Sequence, residues 1–211
     1  MSIAKQFGKN ANVAAKKVIS IMRDAVVDFR KIMRGELTYE VVEYRMIAEI
    51  TQAMNTWLKH FMDEAKRLDI EFSYQDIIGL NAVVKSVASI SWGEVVWRLL
   101  NEYEFDEEAT MKDALYEMFD FLDNRVYNIL RDGLYKVTRD MVYTKLKAKD
   151  SNMLVKWYSM NDEFHHPICK EREKVGSVKL IEVPTVFENM HEEGYNYLHP
   201  HFLCDGIFLP E

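Results

Sequence analysis

NANVAAKKVISIMRDAVVDFRKIMRG, residues 10–35, sets Val13, Ala14, Val18, Ile21, Met22, Ala25, Val26, Phe29, Ile32 and Met33 at steps of three and four. That period lays one apolar stripe along an α-helix, and the glycine at position 35 supplies the stop. The pattern then recurs. Thr38 can cap a second helix whose stripe reads Val41, Tyr44, Ile47, Ala48, Ile50, Met54, Trp57, Leu58, Phe61, Met62 and Ala65, ending near Leu68. Ser73, with Asp76 three residues on, opens a third running through Val83, Val87, Ile90, Val95 and Leu99. Asp106 caps a fourth, with Leu115, Met118, Phe119, Leu122, Val126, Ile129 and Leu130 facing inward until Gly133, and a shorter fifth fits residues 134–148. Helices of about 25–30 residues reach about 40 Å at the α-helical rise, so the expected fold is mainly α, an elongated bundle of long helices.

The composition changes near Asp150. Residues 1–150 contain no proline, whereas Pro167, Pro184, Pro200 and Pro210 all fall beyond it. There LVKWYSM (154–160) and VKLIEV (178–183) are rich in β-branched and aromatic residues at strand length. The expected organisation is a helical bundle domain over 1–150 and a small C-terminal α+β module with short strands over 151–211. With 48% hydrophobic and 29% charged residues, the chain reads as a folded globular protein. No apolar run approaches the length of a membrane span, and MSIAKQFGKN lacks the apolar stretch of a secretory signal, so synthesis in a cytoplasm is the default expectation. Trp57, Trp92 and Trp97 lie on the stripes and are expected in the core.

Charge is unevenly spread. Residues 1–34 carry eight Lys or Arg against two Asp, while 101–123 carry nine acids against one Lys and 151–211 ten acids against five bases. Lys16, Lys17, Arg23 and Arg30 are the candidates for contact with nucleic acid or an acidic partner; a solvated helix face is the other reading. No phosphate-binding glycine loop is present, and no carboxylate pair stands at a recognisable catalytic spacing from a His, Ser or Lys.

HHPICKE (165–171) and LHPHFLCDG (198–206) hold four of the six histidines and both cysteines. His166 with Cys169 and His199 with Cys204 make two close pairs joined by a longer connection, which is how structural zinc sites are written. Two thiolates and two imidazoles balance Zn²⁺ and fill a tetrahedron. His165, His191 and His201 offer alternative ligands, and a fold without metal or one with a catalytic metal remain open at this point. A closed ion would also stabilise a segment too short to bury much apolar surface.

The run VKWYSMNDEFHHPICKEREKVG, followed by YLHPHFLCDGIFLP, resembles the C-terminal signature of the phage head-morphogenesis family, the minor head proteins of tailed bacteriophages related to the Mu F protein. Members typically read K-x-W, then Asp, C-P-x-C, a glycine, and L-H-P-x-C-x-C before a short strand, with a Thr-Arg stretch ending the preceding helix. Trp157, Asp162, Pro167, Cys169, Leu198, His199, Pro200 and Cys204 match, Gly176 lies near the expected glycine, and Thr138, Arg139 and Asp140 occupy the helix-end place. His166 stands where a cysteine is usual, and Phe202 replaces another.

The resemblance covers residues 138–211 and implies a structural, non-enzymatic role: a virion protein at the capsid interior or portal vertex, made in the host cytoplasm. It would engage portal or capsid proteins, with packaged DNA as a further candidate partner. The alternative is a metal-dependent nuclease or toxin-like effector, in which His165 or His201 would act as base. A zinc-bearing nucleic-acid regulator would want Lys or Arg beside the motif, and HEEGYNYLHPHFLCDG supplies none.

Overall fold

The structure, a computed structural model, describes residues 3–103, 108–159 and 166–211, leaving out the side chains of 74–77, 80, 108 and 109. The expected Asp106 cap, Asp162 and His165 lie outside the described residues, as does the side chain of Asp76. The chain is mainly helical, with a small antiparallel sheet near its end. Its helices are α1 (Ile3–Met33), α2 (Tyr39–Lys66), α3 (Tyr74–Asn101), α4 (Glu108–Phe121), α5 (Tyr127–Lys149), α6 (Pro167–Val175) and α7 (Val183–Val186). The strands are β1 (Leu154–Ser159), β2 (Val178–Lys179) and β3 (Gly206–Pro210).

Helix α1 starts earlier than its stripe announced, because Ala4, Phe7 and Ala11 continue the buried face toward the N-terminus. Gly35 ends it in the left-handed region at φ 69°, and its N–H caps the Ile32 carbonyl at 2.9 Å. Thr38 caps α2, its Oγ1 accepting the Val41 N–H at 3.4 Å.

The first parts of the α2 and α3 stripes are displaced from the expected ones, whereas Ile50, Met54, Trp57, Leu58, Phe61, Ala65, Val95 and Leu99 are buried as expected. Val42, Met46, Ile50 and Met54 are buried on α2, while Val41 and Tyr44 are exposed. On α3 the buried residues are Val84, Ala88, Ser91, Trp92, Val95 and Leu99, and Val83, Ile90 and Trp97 face outward. Helix α3 carries apolar residues around much of its circumference, so spacing alone could not fix which face is inside.

Gly133 does not end a helix. One turn of π-helix, Leu122–Val126, joins α4 to α5, and α5 runs through Gly133 to Lys149, absorbing the expected fifth helix. A lone glycine costs a helix roughly 1 kcal/mol, and the buried Leu130, Leu134 and Tyr135 around it offset that.

Contacts divide the chain into two compact units. One contains residues 13–56 and 78–130; the other contains 1–12, 57–77 and 131–211. In the second unit residues 151–211 therefore share their contacts with part of α5. Its interior is aromatic: Phe61 lies 5.4 Å from Phe7, 5.5 Å from Trp57 and 5.1 Å from Phe72, ring centre to ring centre.

The sheet order is β2-β1-β3, both pairings antiparallel, with Trp157 opposite Phe208 and Ser159 opposite Gly206. Strand β1 alternates, burying Val155, Trp157 and Ser159. The strand expected over 178–183 stops at Lys179 and gives way to a 3₁₀ turn and α7. Leu180, Val183 and Phe187 are the buried residues there, and steps of three and four suit a helical turn.

Candidate metal centre

Most of residues 187–206 has no regular secondary structure, so its backbone groups must find partners elsewhere. Two fully buried arginines supply them. Arg139, on α5, donates through Nε to the Gly206 carbonyl at 2.6 Å, through Nη1 to Leu198 at 3.0 Å and through Nη2 to Cys204 at 2.5 Å. Arg172, on α6, donates through Nε to Met190 at 2.9 Å and through Nη1 to Tyr197 at 2.7 Å. Both guanidinium groups lie over the buried Trp157 ring, at 5.8 and 4.7 Å from its centre. On the same face of α5, Asp132 accepts the Leu203 N–H at 2.8 Å, which fixes a residue held at φ 56°.

These clamps bring the α6 turn and the 199–206 loop together. Cys169 Sγ lies 3.6 Å from Cys204 Sγ and 3.1 Å from His201 Nε2. Among the described residues Cys169, His201 and Cys204 form the group whose donor atoms all fall within 4.8 Å of one another, and all three are buried. His201 Nδ1 meets the Phe202 carbonyl at 2.8 Å. A carbonyl can only accept, so Nδ1 carries a proton and Nε2 is the nitrogen turned to the sulfurs.

The group could hold a metal. An ion about 2.3 Å from each sulfur in a tetrahedron spaces two sulfurs about 3.8 Å apart, close to the separation of 3.6 Å. Thiolates with imidazole are a donor set for zinc-like ions rather than calcium or magnesium, and a ligand histidine usually passes its other N–H to a carbonyl or carboxylate.

Electrostatics separate the two thiols. Hydrogen bonding to Cys204 is the largest influence raising Cys169, joined by burial and by the charges of Cys204 and Asp205, with Arg172 opposing. Burial alone would raise Cys204, yet the Cys169 hydrogen bond, the Arg139 charge and His201 hold it well below the ordinary thiol value. Burial pulls His201 down, but the hydrogen bond and charge of Cys204, the Phe202 carbonyl and Glu192 outweigh it and leave it raised. Burial lowers Arg172 to about 10, the cysteines opposing and Arg139 assisting. Cys204 is thus the readier thiolate.

No family model, curated protein or solved structure matches this chain.

Of the four residues that spacing nominated, Cys169 and Cys204 enter the cluster directly. His166 lies beside it: its ring stacks on His201 at 4.0 Å between centres, its Nδ1 accepts the Ile168 N–H at 3.3 Å as the cap of α6, and its Nε2 sits 3.2 Å from Glu192 Oε1. His199 is turned away. Its Nδ1 is 2.7 Å from Arg139 Nη1, which can only donate, and its Nε2 is 2.9 Å from Asp140 Oδ1. Both ring nitrogens are occupied, and His201 takes the position that spacing assigned to His199. In sequence the three-residue step from His201 to Cys204 was as good a ligand spacing as the five-residue step from His199, and nothing local chose between them.

Lys16 and Lys17 are exposed on α1. Arg23 pairs with Asp123 at 3.3 Å and lies over the Phe119 ring at 4.6 Å, so its charge is partly matched. Arg30 lines a shallow groove with Val27, Lys112, Leu115, Tyr116 and Phe119. No described helix is long and apolar enough to cross a membrane.

Proposed function

We propose that this chain is a structural, non-enzymatic virion protein, a minor head protein of a tailed bacteriophage acting in head morphogenesis, whose C-terminal module is stapled by zinc. The observation that carries the reading is where the signature residues sit. Arg139 clamps the 198–206 loop, Trp157 is the buried floor under both arginines, and His199 bridges Arg139 to Asp140. Cys169 and Cys204 meet at the cluster. Arg139, Asp140, Trp157, Cys169, Leu198, His199 and Cys204, seven of the residues that carry the resemblance, thus have architectural work, and each touches another of the seven.

An enzyme built on this cluster would need to bring substrate to its ligand atoms. Cys169 and Cys204 are 1% exposed and His201 7%, which favours a staple over a nuclease or effector site. The partners this reading calls for are portal or capsid proteins and packaged DNA, with Lys16, Lys17, Arg23 and Arg30 as the candidate contact residues and the virion as the site of action.

Elemental analysis of the purified chain is expected to find about one zinc per molecule, and Cys169→Ala to release it. Proteomics of purified particles should recover the chain, and portal protein should co-purify with it. Particles that lack it, or charge reversal at the α1 residues that leaves both DNA and portal binding unaltered, would count against the assembly role and the DNA contact respectively.

A further inference from the structure

Three donors leave a tetrahedral ion one position short. We propose that His166 fills it through Nδ1, with Glu192 holding its Nε2–H, to close a two-cysteine, two-histidine site for a borderline-soft divalent ion such as zinc. The inference rests on the metal reading of Cys169, His201 and Cys204 and adds to it the fourth ligand and the group that orients that ligand.

Position comes first. The His166 imidazole lies against that of His201, ring centres 4.0 Å apart and planes inclined by 26°; its nitrogens fall outside the 4.8 Å group of Cys169, His201 and Cys204, so the ring must turn toward the sulfurs on binding. His166 is the residue before α6 and Cys169 lies in its first turn, so both side chains project from one rigid helix start. His199 is committed to Arg139 and Asp140, and His191 Nδ1 is 2.9 Å from the Glu192 carbonyl.

Proton placement points the same way. Nδ1 of His166 accepts a backbone N–H, so the ring proton resides on Nε2, where Glu192 Oε1 receives it at 3.2 Å. This is the tautomer needed for a ligand bound through Nδ1, and a carboxylate behind the second ring nitrogen is the usual companion of a metal-bound histidine. The bond that Nδ1 would surrender is long, 3.3 Å, and the freed N–H belongs to a helix start where solvent can take it. Binding requires both sulfurs as thiolates and an unprotonated His201 Nε2, so any proton these atoms carry leaves to solvent, and the two thiolates then balance a doubly charged ion.

The test uses the full chain, stripped with chelator and titrated with Zn²⁺ and with Co²⁺, whose visible ligand-field bands report coordination number and donors. The wild type should bind one Co²⁺ with tetrahedral bands. His166→Asn keeps a good helix cap, so its metal-free fold, checked by circular dichroism, should be retained. Its Zn²⁺ affinity should fall roughly tenfold or more, and its Co²⁺ bands should shift as water replaces imidazole. Glu192→Gln should weaken Zn²⁺ binding while leaving the bands in place. If His166→Asn binds both ions as the wild type does, or if Asp205→Asn alone alters the bands, the fourth ligand is not His166 although the three-residue centre stands. If the wild type binds neither ion, the metal reading and this inference fall together.

Discussion

At the scale of single residues, Gly206 shows how closely the module is packed. A Cβ at this position would overlap the Trp157 indole, and the indole cannot retreat because Phe208 meets it edge-on at 4.7 Å with the two arginines also stacked against it. Gly206→Ala is therefore expected to destabilise the chain by about 1–3 kcal/mol or more, read as a lowered urea midpoint.

His201 provides a prediction in pH. Its folded pKa is raised above 6.5, with burial opposing and Cys204, Phe202 and Glu192 prevailing. The stability it contributes is full below the unfolded value and is lost as pH rises through the folded one. Cys204 has the opposite sign: its value is depressed below 9.0, so its contribution is present above the unfolded value and lost as pH falls through the folded one. Because the two signs oppose, the informative quantity is a difference. In chelator, the stability gap between wild type and His201→Gln should narrow as pH climbs from about 6 toward 8.

At the scale of elements, the helices follow their apolar period in kind but not always in phase. The α1 stripe, apart from the exposed Val13 and Met33, was legible because its polar face is strongly charged. Helix α3 is not marked in this way: residues 79, 83, 86, 90, 93, 97 and 100 are exposed and none is charged. Gly93 sits on this face, and a Cβ there would meet nothing within 4 Å. Gly93→Ala should accordingly raise stability by about 0.5–1 kcal/mol through the unfolded chain and helix propensity, with a matching rise in Tm. The continuation of α5 through Gly133 escaped sequence reading because glycine is a strong local stop signal, and only the buried neighbours Leu130, Leu134 and Tyr135 show why the helix continues.

At the scale of the whole molecule, residues 151–211 depend on α5. Asp132, Arg139, Asp140 and Tyr143 each bond to that segment, to Leu203, to the 198–206 carbonyls, to His199 and to the Leu180 carbonyl respectively. Without Arg139 the carbonyls of Leu198, Cys204 and Gly206 lose their shared donor, and each buried polar group left unsatisfied costs about 1–3 kcal/mol. Residues 151–211 expressed alone in chelator are thus expected to give no cooperative thermal transition, whereas the full chain gives one.

The sequence by itself determined the local matters: helices from their three-and-four spacing, the stops and caps at Gly35 and Thr38, the change of character near Asp150, and two thiols in reach of imidazoles. These depend on neighbours a few residues apart, which a linear pattern records. Tertiary structure alone decided which face of α3 is buried, that α5 passes through Gly133, and that His201 rather than His199 joins the cysteines. The last of these was made by a side chain distant in sequence, Arg139, whose fixed fork of donors meets three carbonyls and one imidazole and leaves the other histidine free to face the sulfurs.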